Sequence, residues 1–511
     1  MSISKINSCA LSGLSGFEIT VETDISNGLP GFDIVGLPDA AVKESKERIK
    51  AAIKNSGLVM PPKRITVNLA PADVKKEGAY FDLPIALGIL VASEQLFIEN
   101  SDDAVFMGEL SLDGEIRNVN GILPMVISAY QKGKKRVFLP ECNAAEAAVV
   151  EKMEVFGAKN LKELLQGLTG QKELLPKKVN ISELFSSQSE GEPDFADVKG
   201  QYQVKRALEI AAAGNHNILM IGPPGSGKTM IAKRVPSILP DLTFEEALEV
   251  TKIHSISGVL DKNCAMITKR PFRHPHHTIS AVGLSGGGAN PRPGEISLSH
   301  NGVLFLDELP EFRRDALEVL RQPLEDGTVT ITRATGTYSY PCNVMLVASM
   351  NPCPCGFHGD PTRDCSCSET KIQKYIGKIS GPLLDRIDIH IEVPAVSFND
   401  LESKKKEESS ADIKKRVDAA RKIQLERYKN DKIFSNSNLT PELLDKYCAL
   451  TPECNSILKM AFEKLGLSAR AHNRILKMAR TIADLAGSEN IAPAHIAEAV
   501  RYRALDRKFF I

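Results

Sequence analysis

In "NILMIGPPGSGKTMIAKR", the residues Gly222, Pro223, Pro224, Gly225, Ser226, Gly227, Lys228 and Thr229 fit the pattern G-x-x-x-x-G-K-[ST]. Glycines at this spacing let backbone N–H groups approach and wrap phosphates. Lys228 carries a charge to the β- and γ-phosphates, and Thr229 offers a hydroxyl to Mg2+. The apolar run Ile218 to Ile221 before the loop reads as a strand. The residues after it read as a helix, whose N-terminus adds partial positive charge. Further along, "GVLFLDELPEF" holds a second apolar strand, Val303 to Leu306, which ends in Asp307 and Glu308. Asp307 suits the Mg2+ shell, and Glu308 suits orienting and deprotonating a water. An acidic pair alone says little, but downstream of such a loop it points to ATP hydrolysis with Mg2+.

Three further polar residues fit that chemistry. Asn351 ends the strand pattern "NVMLVASMN", where an amide could position water against the γ-phosphate; the alternative is a plain turn residue. Arg386 lies in "SGPLLDRIDIHIEVP" between Asp385 and Asp388. It reads as an arginine finger for a neighbouring subunit, or as a local ion pair. Arg470 opens a late helix with Arg474 and Lys477 on the same face. It is the residue expected to close over bound nucleotide from a helical lid, against a solvated basic face.

"NPCPCGFHGDPTRDCSCSET" crowds Cys353, Cys355, Cys365 and Cys367, four of the chain's ten cysteines, into one loop. Two C-x-C pairs suit a tetrahedral Zn2+ with four thiolates and no open position for water, hence a structural ion. His358 could replace one thiolate. Free thiols, a disulfide or an iron–sulfur cluster are the alternatives. A loop of about twenty structureless residues is uncommon in a compact module, and a metal clip would supply the missing core. The loop joins Asn351 to the segment carrying Arg386, so the clip is expected to fix the spacing between them.

"RPFRHPHHTISAVGLSGGGANPRPG" sets Arg270, Arg273, His274, His276, His277 and Arg292 around a Gly/Pro-rich tip. Cationic and imidazole groups there could grip DNA phosphates. A metal site on the histidines and simple packing are the other readings. "EDGTVTITRATGTYSYPC" reads as a β-hairpin with Arg333 near its turn. Tyr338 and Tyr340 could stack bases, or pack across strands.

The elements that must position these groups follow from pattern and composition. The chain has 511 residues, enough for two to four domains, with 42% hydrophobic and 25% charged residues and zero formal net charge. A nucleic-acid surface must then be a local patch. The N-terminal residues do not read as a signal peptide, and "LPIALGILVAS" is too short to span a bilayer, so a cytoplasmic location without membrane association is expected. Residues 1–170 mix strands ("FEITVET" with Phe17, Ile19 and Val21 on one face) with an amphipathic helix carrying Val42, Ile49 and Ile53. Residues 171–193 read as a linker, 194–395 as an α/β core, and 396–511 as helical. Within the last part Ile475, Met478, Ile482 and Leu485 form an apolar stripe, and Pro493 opens a final helix. "NDLESKKKEESSADIKK" is a charge run between core and helices.

This ordered set resembles the AAA+ ATPases, and more narrowly the YifB/ComM family of magnesium-chelatase-like ATPases. The strings that carry the resemblance are "GLPDAAVKESKERIKAAIKNSG", "ITVNLAPADVKKEGAYFDLPIALGIL", "RPFRHPHHTISAVGLSGGGANPRPGEISLSHNGVLFLDELPEF", "LSGPLLDRIDIHIEVP" and "SARAHNRILKMARTIADL". It implies an α/β fold: an AAA+ P-loop module with a helical lid, preceded by an α+β domain like the Lon protease domain. By motif, Lys228 and Thr229 match Walker A, Asp307 and Glu308 Walker B, Asn351 sensor 1, Arg386 the arginine finger and Arg470 sensor 2. The resemblance also implies a homo-hexameric ring and a DNA helicase that drives branch migration in natural transformation. A Lon-type protease needs a serine activated by a lysine. "KEGAYFDLP" and "NGILPMV" offer Ala79–Tyr80 and Pro124 at those places, so proteolysis is not expected. The rival readings are a magnesium-chelatase motor subunit and an ATPase that remodels a protein partner.

Overall fold

The computed structural model describes residues 2–186, 193–288, 291–333, 336–360, 363–396, 402, 407–431, 433–465 and 468–505. Part of the charge run after residue 398 and part of the expected linker lie outside these residues. The chain divides into two units, Met1–Ser187 with Phe244–Thr268, and Gln188–Thr243 with Lys269–Ile511.

The first unit opens with a four-stranded sheet in the order Ser2–Ser12, Ser15–Ser26, Arg64–Ala70, Gly31–Val35. The first three strands pair antiparallel and the last parallel. Ile19 and Val21 alternate inward as their spacing predicts. Asp39 caps the helix Ala40–Asn55, its Oδ1 accepting from Val42 N at 2.8 Å, and Val42, Ile49 and Ile53 are buried. The apolar stretch that includes "LPIALGILVA" forms the central helix Asp82–Ala92, buried at every position but one. A parallel sheet of Ala104–Phe106, Arg136–Pro140 and Glu154–Ala158 aligns Phe106, Phe138 and Phe156 across its strands, each adjacent pair of rings stacked at 4.9 Å.

Two boundaries differ from expectation. The helix Phe244–Ser257 lies inside the stretch expected to be one continuous α/β core, yet it packs in the first unit. There Ser255 O accepts from Gly121 N at 3.1 Å, and the Ser255 hydroxyl donates to the buried carboxylate of Glu146. Glu146 also accepts from Leu123 N at 2.9 Å, and burial pushes its carboxyl above the usual range. The start of the expected linker also belongs here: Lys177 N donates to Val155 O at 2.8 Å, extending the parallel sheet by one contact.

The second unit is built on a five-stranded sheet in the order Phe272–Arg273, Val303–Leu306, Met345–Met350, Ile218–Ile221, Ile389–Glu392, all parallel. Three of these strands are buried along their whole length, as a parallel sheet covered on both faces requires. The helices Ser410–Arg427, Ala469–Leu485 and Pro493–Arg501 share this core. Ile475, Met478 and Ile482 lie in one cluster with Ile218, Met220 and Val347, and Leu485 packs on its edge. Within the second unit the helical part is therefore not a separately folded body. Truncating Ile475 to Ala would cost about 2–5 kcal/mol of the stability of the whole unit.

Candidate nucleotide site and the elements around it

Ligands of open parallel sheets bind beyond the carboxyl ends of the strands, and the glycine loop lies there. Gly222 N donates to Met350 O at 3.2 Å, which ties the loop to the neighbouring strand. A Cβ on Gly222 would stand 2.2 Å from Val393 O, so only glycine fits. Gly225 and Gly227 take φ of 78° and 89°, the left-handed region that favours glycine. The helix Lys228–Ala232 follows.

Lys228 is buried, and its Nζ donates to Gly222 O (2.8 Å), Pro223 O (2.9 Å) and Asn351 Oδ1 (3.3 Å). Burial holds its ammonium below the usual lysine value, with Asp307 and Glu308 pulling the other way. These neutral acceptors are exchangeable for phosphate oxygens. Thr229 Oγ1 donates to Asp307 Oδ2 at 2.6 Å, and Glu308 N donates to Asp307 Oδ1 at 3.1 Å. The Ser349 hydroxyl donates to the same carboxylate. The hydroxyl–carboxylate pair of Thr229 and Asp307 is the oxygen donor set that Mg2+ takes, and Lys228 beside it fits a phosphate. Sequence reasoning missed Ser349. Its signal was the period of two, which places Ser349 on the same side of the chain as Asn351 just beyond the strand Met345–Met350.

Glu308 takes φ 55°, uncommon for a residue with a long side chain, and strain of this kind collects at functional sites. Its carboxylate is half exposed, with Oε2 3.7 Å from His277 Nδ1. The His277 ring lies 4.1 Å from that of His276 and edge-on to Phe312.

The structure divides the expected DNA-contact residues. Arg270 and Arg273 are corrected. Arg270 donates to the backbone oxygens of Pro240, Asp241 and Asn301, and Arg273 grips Glu295 with two bonds of 2.7 and 2.8 Å. Both guanidinium groups are spent inside the subunit. His276, Arg292 and Arg333 are exposed. The glycine-rich tip and the hairpin Thr328–Arg333/Gly336–Pro341 lie against each other. A Cβ on Gly287 would stand 3.2 Å from Arg333 Nη2, and the Tyr340 hydroxyl donates to Pro291 O at 2.8 Å. Tyr340 is buried opposite Val329 and Tyr338 lies opposite Ile331, so packing across strands accounts for both tyrosines and base stacking by Tyr340 is corrected.

Arg386 and Arg470 share a cavity of about 450 Å3 with Glu325, Asp385, Arg474 and Lys477. Arg386 pairs with Glu325 and donates to Pro382 O at 2.7 Å, while its buried Nε has no hydrogen-bond partner among the described residues. Arg470 Nη1 stands 4.0 Å from Asp385 Oδ2. Arg470 was expected to cover its own subunit's loop; it stands with Arg386, and the glycine loop does not line their cavity. Behind them Asp388 joins strand to helix, accepting from Arg474 at 3.1 Å and from Asn217 N at 3.1 Å. Although buried, Asp388 is held well below the usual carboxylate range by the Arg474 guanidinium and the His216 ring.

The Sγ atoms of Cys353, Cys355, Cys365 and Cys367 all lie within 4.8 Å of one another, and three of the separations are 3.3, 3.6 and 3.7 Å. Four thiolates around one tetrahedral zinc stand roughly 3.8 Å apart. The cluster therefore fits the ion, without His358. In the first unit, the Tyr80 ring lies tilted against Phe81 at 4.6 Å between centroids, and Pro124 lies buried in the helix Ile122–Gln131.

Sheet order, glycine loop, acidic pair and attached helices define an AAA+ ATPase module. Family profiles agree. "Magnesium chelatase, subunit ChlI" matches residues 194–401, "Subunit ChlI of Mg-chelatase" matches 21–143, and "Magnesium chelatase, subunit ChlI C-terminal" matches 407–503. The chain is 44% identical over 509 residues to the competence protein ComM of Haemophilus influenzae, covering 99% of this chain and 98% of that protein. It is also 44% identical to the uncharacterised protein YifB of Escherichia coli, with the same coverage. Lon protease 2 of Bacillus subtilis is 30% identical over 154 residues, 27% of this chain and 26% of that one, consistent with a Lon-like N-terminal domain. The chain belongs to the YifB/ComM family of magnesium-chelatase-like AAA+ ATPases. No helix among the described residues is long and apolar enough to cross a membrane.

Proposed function

We propose that this ATPase is a cytoplasmic motor that works as a homo-hexameric ring on DNA, promoting branch migration or strand separation in recombination. The observation that carries the DNA reading is the paired insert and hairpin. Together they expose His276, Arg292 and Arg333, and His277 ties the same insert to Glu308. The name of the Haemophilus relative, a competence protein, is consistent with it.

In this reading the loop Gly222–Thr229 binds ATP, with Lys228 exchanging carbonyl oxygens for phosphate oxygens. Mg2+, when bound, neutralises phosphate charge; Thr229 and Asp307 are its ligands, and Ser349 orients the Asp307 carboxylate. Glu308 orients and deprotonates the attacking water, and Asn351 positions that water beside Lys228. Arg386 and Arg470 complete the site of a neighbouring subunit. Cys353, Cys355, Cys365 and Cys367 hold a structural zinc ion.

The test is ATP-dependent movement of a synthetic four-way junction. The account expects branch migration that needs hydrolysis and weakens steeply with salt, because phosphate contacts dominate. A second reading, a magnesium-chelatase motor, is favoured by the descriptions of the matching profiles. It expects no effect of DNA on the ATPase.

A further inference from the structure

Resting on the zinc reading just given, we propose that the four-cysteine site is a strut for the phosphate-binding loop, so that zinc occupancy sets nucleotide affinity. The expectation from chain order was a spacer between Asn351 and Arg386. The packing directs the loop elsewhere. Cys353 is fully buried, and Gly356 N donates to Cys353 O at 3.0 Å, closing a tight turn that contains Cys355. Gly356 takes φ 88°, and a Cβ there would stand 2.4 Å from Cδ and 2.7 Å from Cγ of Pro224. The backbone of the turn thus lies directly on the proline ring in the middle of the glycine loop.

Both ends of the cysteine segment also reach the nucleotide site. At its head, Asn351 Oδ1 accepts from Lys228 at 3.3 Å. Beyond Cys367, the helix Glu369–Ile376 begins, and its buried Tyr375 lies near enough to the backbone of Asn351 to feel it electrostatically. The segment is a closed loop on the wall of the site, and among its described residues the four sulfur atoms form one compact cluster. Thiols are weak hydrogen-bond partners, so these four hold the loop poorly without an ion. Four thiolates bound to zinc hold it firmly, because metal binding supplies folding free energy where a core is missing. Once the turn is loose, the Pro224 side of the glycine loop loses its support. Nucleotide must then select the ordered loop from a wider ensemble, and the apparent Kd rises by the inverse of the ordered fraction.

Two measurements separate the strut from the metal reading on which it rests. Elemental analysis of the full-length chain purified with zinc present should give about one zinc per chain. Under half an equivalent defeats the metal site, and the strut with it. Binding of a fluorescent non-hydrolysable ATP analogue is then measured on the zinc-loaded protein, on protein stripped with a chelator, and after zinc alone is added back. We expect stripping to raise Kd about tenfold, as for a loop ordered one tenth of the time, and zinc to restore it. Gly356→Ala keeps all four cysteines and should keep its zinc, yet weaken the analogue by a similar factor through the clash with Pro224. If zinc is present and neither stripping nor Gly356→Ala moves Kd by more than twofold, the strut is wrong while the zinc site stands. Circular dichroism on each sample identifies a global loss of fold. Should stripped protein unfold, the Gly356→Ala comparison decides alone.

Discussion

His277 Nδ1 stands 3.7 Å from Glu308 Oε2, so the histidine-rich insert touches the residue assigned to activate water. That distance exceeds a hydrogen bond. It is a charge contact, strongest when the imidazole is protonated. If the insert grips DNA as proposed, its contact with Glu308 links the two events: as long as His277 engages the carboxylate, Glu308 is less available to water. Exposed pairs of this kind are worth up to about 1 kcal/mol, which is roughly fivefold in rate. His277→Ala should therefore raise the DNA-free ATPase by up to about fivefold and shrink its stimulation by DNA. A fall in basal turnover as deep as that of Glu308→Gln would instead place His277 in the chemistry.

Glu308→Gln should bind ATP with near-normal affinity and hydrolyse it about 10²–10⁴ times more slowly, because the water-activating base is lost. Single-turnover hydrolysis and analogue binding, measured together, check this. Normal turnover would refute the assignment.

Arg386 and Arg470 line one cavity, and that placement makes a prediction about mixed assemblies. Either residue changed to Ala should lower the ATPase, for Arg386 by about 10³-fold or more. Mixed with Glu308→Gln subunits, each Ala variant should regain activity, since intact sites form between unlike neighbours. If Arg386→Ala is rescued and Arg470→Ala is not at any mixing ratio, Arg470 serves its own subunit's loop after all.

Arg273 and Arg292 should behave differently although both sit in the basic insert. Arg273→Ala removes a two-point bond to a carboxylate and should cost about 1.5–3 kcal/mol of stability, seen as a lower Tm. Arg292→Ala and Arg333→Ala should leave Tm unchanged, weaken DNA binding and lower the salt slope by about one each. Equal loss of DNA affinity at all salt concentrations would contradict the phosphate-contact reading.

The glycine loop and the acidic pair were readable because their geometry is local. A strand, a turn with fixed glycines and a helix lie within about a dozen residues, so the pattern from Ile218 to Thr229 specifies the shape. Asn351 was readable for the same reason, as the end of an apolar run. Arg470 was not, because which side of the subunit it faces depends on how the helical part packs on the sheet, and no local pattern encodes that. The internal partners of Arg270 and Arg273 were hidden likewise. A basic residue looks the same in sequence whether its partner is a phosphate, the Glu295 carboxylate or the Asn301 carbonyl. The helix Phe244–Ser257 fell within the stretch read as one α/β core, because its packing with residues before 188 is a contact across more than a hundred residues of chain. The cysteine spacing suggested a metal, while the position of Gly356 on Pro224 is a contact between segments more than a hundred residues apart, which no local pattern encodes.

A motor that hydrolyses ATP in response to DNA shows it in its ATPase rate, measured with single-stranded, duplex and branched DNA. The account predicts a severalfold rise with at least one of the three, largest at low salt and absent in Glu308→Gln. An ATPase equally fast with and without every DNA, at low salt and saturating Mg2+, would contradict it.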